Sequence, residues 1–183
     1  ALAGGARTVL LTQPQNPLGR IYRRAELEGL RDVVAQHRAR VISDEIHAPL
    51  VYSEHRHVPY ASINDTAAGH TITAIAASKA WNLAGLKAAL LIAGPAAAPD
   101  LARLPEEVSH GPSHLGVLAH TAAFDDGGTW LDGLIGGLEQ NRELDGTARL
   151  AASLIREEVQ HVDRNDVWIG LLRDAVPVVQ DVE

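Results

Sequence analysis

Residues Thr71 to Lys87 read TITAIAASKAWNLAGLK, and they put a lysine where a lysine is unusual. The run from Thr71 to Ala77 is apolar and rich in β-branched and small residues, the composition of a buried strand. Ser78-Lys79 stands at its exit, before Asn82 and Gly85 break the pattern. At the edge of a core the ammonium is expected to lose water, which favours the neutral amine and makes it nucleophilic toward an aldehyde. The plainer alternative is a surface lysine that snorkels beside a capping serine. The choice rests on the rest of the chain.

Upstream, Thr8 to Thr12 (TVLLT) has the composition of another buried strand, and Pro14, Pro17 and Gly19 then force a tight turn. Ala25 to Arg38 carries Leu27, Leu30, Val33 and Val34 at helical spacing, so it reads as an amphipathic helix. Arg40 to Ser43 returns to strand character. Residues 8 to 43 therefore predict a strand, helix, strand unit with a parallel pair and a right-handed crossover. Asp44-Glu45-Ile46-His47 follows at the end of the second strand, and the carboxyl ends of strands are where open α/β sheets bind ligands. Taken alone, Asn16 reads first as a turn asparagine and Asp44 as a helix cap or a solvated acid.

The polar segment from Ala48 to Asp65 predicts a loop, with His55 and His57 in it. Lys87 to Gly94 is a fourth apolar run, expected to be a further buried strand. Ala98 to Val108 predicts a short surface helix. Helical spacing resumes over Ser113 to Phe124 and from Thr129 to about Glu158, with a break at Asp125 to Gly128. Val167 to Leu172 and Ala175 to Val179 are strand candidates in a tail with polar ends.

Three stretches in order, LLTQPQNPLGR (Leu10 to Arg20), VISDEIHAPLVY (Val41 to Tyr52) and SKAWNLAGLK (Ser78 to Lys87), resemble the fold-type I pyridoxal-phosphate enzymes. Within these they resemble the aminotransferase class I/II family, and its cystathionine β-lyase-like branch most. The likeness runs from about Thr8 to about Leu144. It implies an α/β fold, the mostly parallel sheet of the large domain in partial form, followed by long helices. Residues 1–127 would be part of the cofactor-binding domain, 128–160 a long inter-domain helix and 161–183 an atypical tail in place of the small domain.

The resemblance also implies roles. Lys79 would hold pyridoxal 5'-phosphate as a Schiff base and act as the catalytic base, while Asp44 would pair with the pyridine nitrogen. Asn16 would donate to the ring hydroxyl oxygen, and His47 stands near the place of a tyrosine in many relatives. Ser78 and Lys87 would hold the phosphate. Three residues before the lysine, where relatives usually have a serine, this chain has Ala76. The missing hydrogen bond to a charged oxygen would cost roughly 1.5 to 3 kcal/mol of cofactor affinity. The implied activity is that of an aminotransferase or a C–S β-lyase on an amino-acid substrate, with the parent a homodimer.

Two other classes remain at this point. A catalytically inactive remnant is one, because the segments in which relatives carry the ring-stacking aromatic residue, a phosphate-binding helix and the arginine for the substrate carboxylate are not in this sequence, which reads as an internal fragment from its length, about half that of relatives, and its lack of methionine. On that reading the chain alone is expected not to turn over amino acids. A metal hydrolase built on His47, His55 and His57 is the other, although no HExxH spacing accompanies them. Composition narrows the field: the net charge is −7 with scattered Lys and Arg, which argues against nucleic-acid or anionic-membrane partners. The absence of cysteine excludes disulfides and thiolate chemistry. With no long apolar run and no signal pattern, a cytoplasmic location is expected.

Overall fold

The computed structural model describes residues 1–158. Its element order is β1 (Thr8–Thr12), α1 (Arg24–Gln36), β2 (Arg40–Asp44), α2 (Asp65–Gly69), β3 (Thr71–Ile75), β4 (Leu90–Ala93), α3 (Ala98–Leu101), α4 (Glu106–His110), α5 (His114–Asp126) and α6 (Gly128–Glu158). Contacts divide the chain into residues 1–139 and 140–183, and the sheet lies wholly in the first unit. The strands lie in chain order, β1-β2-β3-β4. The first three are parallel, and β4 returns antiparallel against β3. The expected crossover from β1 through α1 to β2 is present.

Alternation along β2 sorts the sheet into two faces. Val41 and Ser43 are buried, while Ile42 is exposed and Asp44 half-buried. The buried face packs against α1, where Leu27 and Val34 close on Leu11, Val41, Tyr60, Ile63 and Ala67 to form the core. In the first turn of α1, the Glu26 carboxylate accepts from the Arg23 backbone N–H at 2.8 Å, satisfying a donor that has no partner inside the helix. Its chain reverses at Arg38, which adopts φ 51°.

The other face keeps its apolar side chains in the open. Leu10, Ile42 and Ile72 lie in register across β1, β2 and β3, and Leu10 is 70% exposed. The apolar run at 87–94 forms β4, but it is an edge strand whose Leu90, Leu91 and Ile92 are all exposed, not the buried strand its composition predicts. An apolar run looks the same in sequence whether or not a neighbour covers it. The helix expected over Ala98 to Val108 is two short ones, because Pro105 starts a new helix at Glu106. The loop expected from Ala48 to Asp65 contains a 3₁₀ turn at Tyr60–Ser62 and leads into α2. The strand candidates at 167–172 and 175–179 lie outside the described residues.

Candidate functional site

Parallel pairing brings three strand ends to one edge. Thr12 pairs with Asp44, and Asp44 with Ala74, so the turn after β1, the carboxylate at the end of β2 and the turn after β3 all leave the sheet together. The first turn is closed by Gln15, whose side chain accepts from Leu18 N at 2.9 Å and whose backbone pairs with Arg20, and Gly19 takes φ 62° within it. Asn16 stands exposed in this turn. The third carries Lys79 between Trp81 N–H to Ala77 O at 3.0 Å and Leu83 N–H to Ser78 O at 3.1 Å.

The Lys79 turn is fastened to α5. Trp81 Nε1 donates to Gly127 O at 2.9 Å, and its ring meets Phe124 edge-on at 5.2 Å. Gly127 is the residue this contact requires: a Cβ there would lie 2.3 Å from Trp81 Nε1 and 2.4 Å from Ala123 O. Lys87 follows the turn in the left-handed region at φ 55°.

Most polar side chains at this edge lack protein partners. Among the described residues, the Asn16 amide, the His47 ring, the Ser78 hydroxyl and the Lys79 and Lys87 amines make no hydrogen bond or ion pair within the chain. Asp44 uses one oxygen, Oδ1, to accept from Ile46 N–H at 3.2 Å, which leaves Oδ2 available. Lys79 itself is exposed, so the desolvated setting expected from its position after a buried strand is not found. Its neighbours Ala76, Ala77 and Ala80 are buried in its place.

The next residue along, Glu45, behaves in the opposite way. It is 2% exposed and accepts from Ser43 Oγ at 2.7 Å, His57 Nε2 at 2.7 Å and Tyr60 N–H at 3.0 Å. Burial pushes the Glu45 carboxyl up, but the hydrogen bonds from His57, Ser43 and Tyr60 outweigh it and hold the group below the usual carboxylate range. This buried network was not legible as such in the sequence, where His57 reads as a metal candidate. In the structure His57 is committed to Glu45 and His55 lies beside Glu54 at 3.8 Å. Among the described residues no three metal-ligating side chains converge. A pocket of about 360 Å³ lies on this buried side, lined by Glu45, His57, Pro59, Ile75, Ile92 and Phe124.

Comparison with known proteins gives a consistent result. The sequence profile of the family described as Aminotransferase class I and II matches residues 1–163. A Mycobacterium tuberculosis protein with a provisional cystathionine β-lyase name is 54% identical over 142 residues, covering 78% of this chain and 34% of that protein. A Corynebacterium diphtheriae structure, provisionally named a PLP-dependent β-cystathionase, superposes with a TM-score of 0.74 at 40% identity, over 78% of this chain and 38% of that one. Cystalysin from Treponema denticola, whose structure contains pyridoxal 5'-phosphate, gives 0.69 at 30% identity, over 75% and 36%. The chain spans about a third of the length of the curated relatives it matches. Among the described residues no helix is long and apolar enough to cross a membrane.

Proposed function

On the premise that the chain belongs to the aminotransferase class I and II family, we propose that it is the cofactor-bearing part of a pyridoxal-phosphate enzyme that breaks a β carbon–sulfur bond in an amino acid. The observation that carries this reading is the row of polar groups without protein partners at the carboxyl edge of β1, β2 and β3. Water can satisfy exposed groups such as Asn16, Lys79 and Lys87, and what points to a ligand is that the types gathered here fit this cofactor: one amine for an aldehyde, one acceptor for a ring N–H, one amide for a ring oxygen, and a hydroxyl and an amine for a phosphate. When bound, pyridoxal phosphate supplies an aldehyde for an amine to condense with and a ring that takes up the electron pair released at a substrate α-carbon.

Each of this chain's groups then has a task. Lys79 would hold the cofactor at its aldehyde end through Nζ and would be the amine placed to take a proton from the substrate Cα. Asp44, through Oδ2, would pair with the ring nitrogen and favour its charged form. The Asn16 amide would donate to the ring hydroxyl oxygen, with His47 a further candidate for the ring. Ser78 and Lys87 would hold the phosphate. Residues 1–127 would form the cofactor-binding part, with α6 leading on from it. The names of the relatives favour C–S lysis of a substrate such as cystathionine over amino-group exchange. An amino-acid substrate, a homodimeric parent and a cytoplasmic setting belong to the same proposal.

The test takes the protein as its source makes it, with pyridoxal phosphate and L-cystathionine. Release of thiol and pyruvate supports the reading. Exchange of the amino group with a 2-keto acid, without thiol, would assign transamination instead, and the absence of both reactions would overturn the proposal.

A further inference from the structure

Segment His57–Tyr60 is tied to two of the three strand ends that carry the edge groups, those of β1 and β2. Glu45 reaches it through His57 Nε2 and Tyr60 N–H. Gln13, fully buried and three residues before Asn16, donates from Nε2 to Val58 O at 2.9 Å. The segment is itself rooted in the core, where the wholly buried Tyr60 pairs its hydroxyl with His70 Nε2 at 3.0 Å. One strap thus fastens the start of the β1 turn and the end of β2.

The route from Glu45 to Asp44 is short. The peptide between them is held on both sides, with Asp44 O accepting from Gln13 N–H at 2.9 Å and Glu45 N–H donating to Ala74 O at 2.9 Å. The Asp44 carboxylate is then aimed by Ile46 N–H, and the place of Ile46 depends on Glu45, the residue before it. A buried carboxylate is a poor means of adding stability, since a well-packed apolar residue serves as well or better. Its three bonds do fix where the chain goes next.

We propose that the His57–Tyr60 strap is a positioning element for the cofactor, orienting Asp44 through Glu45 and the Asn16 turn through Gln13. Glu45, His57 and Gln13 are positioning residues, since none of them lies among the edge groups assigned to the cofactor. This rests on the pyridoxal-phosphate reading above. At metal sites, loss of comparable outer support weakens binding by about ten- to a hundredfold.

The experiment titrates pyridoxal phosphate into the chain and follows the visible absorbance band, its affinity and its dependence on pH. Glu45→Gln and His57→Ala are expected to weaken binding by about ten- to a hundredfold and to move the pH at which the band changes, while His57→Gln, which keeps a donor toward Glu45, restores both. Gly94→Ala, at the end of the sheet opposite the edge groups, where an added Cβ would lie 2.8 Å from Ala68 O, serves as the stability control. It should lower the melting temperature and leave affinity and band unchanged. If the strap variants bind like the unsubstituted chain, or if Gly94→Ala weakens binding as much as they do, the positioning role is wrong. No band with the unsubstituted chain would instead remove the cofactor reading, and this inference with it. Should Glu45→Gln not fold, the two His57 variants carry the same comparison.

Discussion

Asp44 and Glu45 are neighbouring carboxylates with opposite circumstances. Asp44 points to the sheet face that is left open and keeps an oxygen without a protein partner. Glu45 points to the packed face, where three donors surround it. Period-two alternation puts the two on opposite sides of the strand end. The difference teaches that one strand end can leave one carboxylate open toward solvent and lock its neighbour into the scaffold.

The largest effect should come from the scaffold side. Glu45→Ala leaves Ser43, His57 and Tyr60 N–H without their shared acceptor, and losing one partner of a buried charged network costs about 3 to 5 kcal/mol. Denaturant unfolding would measure it, and a loss under about 1 kcal/mol would mean that the network is solvated in practice. The same region sets an acid limit. Burial, then the nearby Arg40 and Arg31 charges, lowers the His70 ring below its ordinary 6.5, and Glu45 is lowered from 4.5. For both groups the stabilisation is complete above the ordinary value and is lost as pH falls through the lower folded one. The melting temperature should therefore begin to fall below about pH 6.5 on account of His70, and fall further below about 4.5 on account of Glu45. A melting temperature that is flat from pH 7 to 4 would contradict both assignments.

On the edge side the order of effects reverses. Asp44→Ala removes one 3.2 Å hydrogen bond of a half-buried residue, so stability should change little. Turnover in the source protein should drop by about 10² to 10³, the scale of losing one preorganised electrostatic partner. Near-normal turnover would show that another group faces the ring nitrogen. Gly127→Ala lies between the two regions in size. The added Cβ drives into Trp81, and overpacking of this kind costs about 1 to 3 kcal/mol. Because Trp81 holds the Lys79 turn, calorimetry and cofactor titration should both respond, and an effect on neither would show that the turn is held by other contacts.

The edge was more legible in the sequence than the scaffold, for a physical reason. Strand runs end at Thr12, Asp44 and Ile75, within two residues of their predicted ends, because β-branched composition and the turn residues that follow are local signals. Groups at those ends are brought together by parallel pairing alone. The strap is non-local: Glu45 meets His57 and Tyr60 twelve and fifteen positions on, and Gln13 meets Val58 forty-five positions on. No periodicity announces such pairs. The exposure of β4 was illegible for a different reason, since an edge position depends on what lies beside the strand, and its own residues carry no sign of it. Lys79 shows both sides: its place after the strand was readable, and its exposure was not.

Trapping with borohydride is the most direct measurement of what the edge does. The chain is incubated with pyridoxal 5'-phosphate, reduced and digested, and the peptides are mapped by mass. The two lysines, Lys79 and Lys87, are the only side-chain amines in the sequence, so the result has few outcomes. The cofactor mass should appear on Lys79 and disappear in Lys79→Ala, while Lys87→Ala still traps at higher cofactor concentration. Label on Lys87 in place of Lys79, or none on either, would contradict the assignment of this edge as the cofactor site.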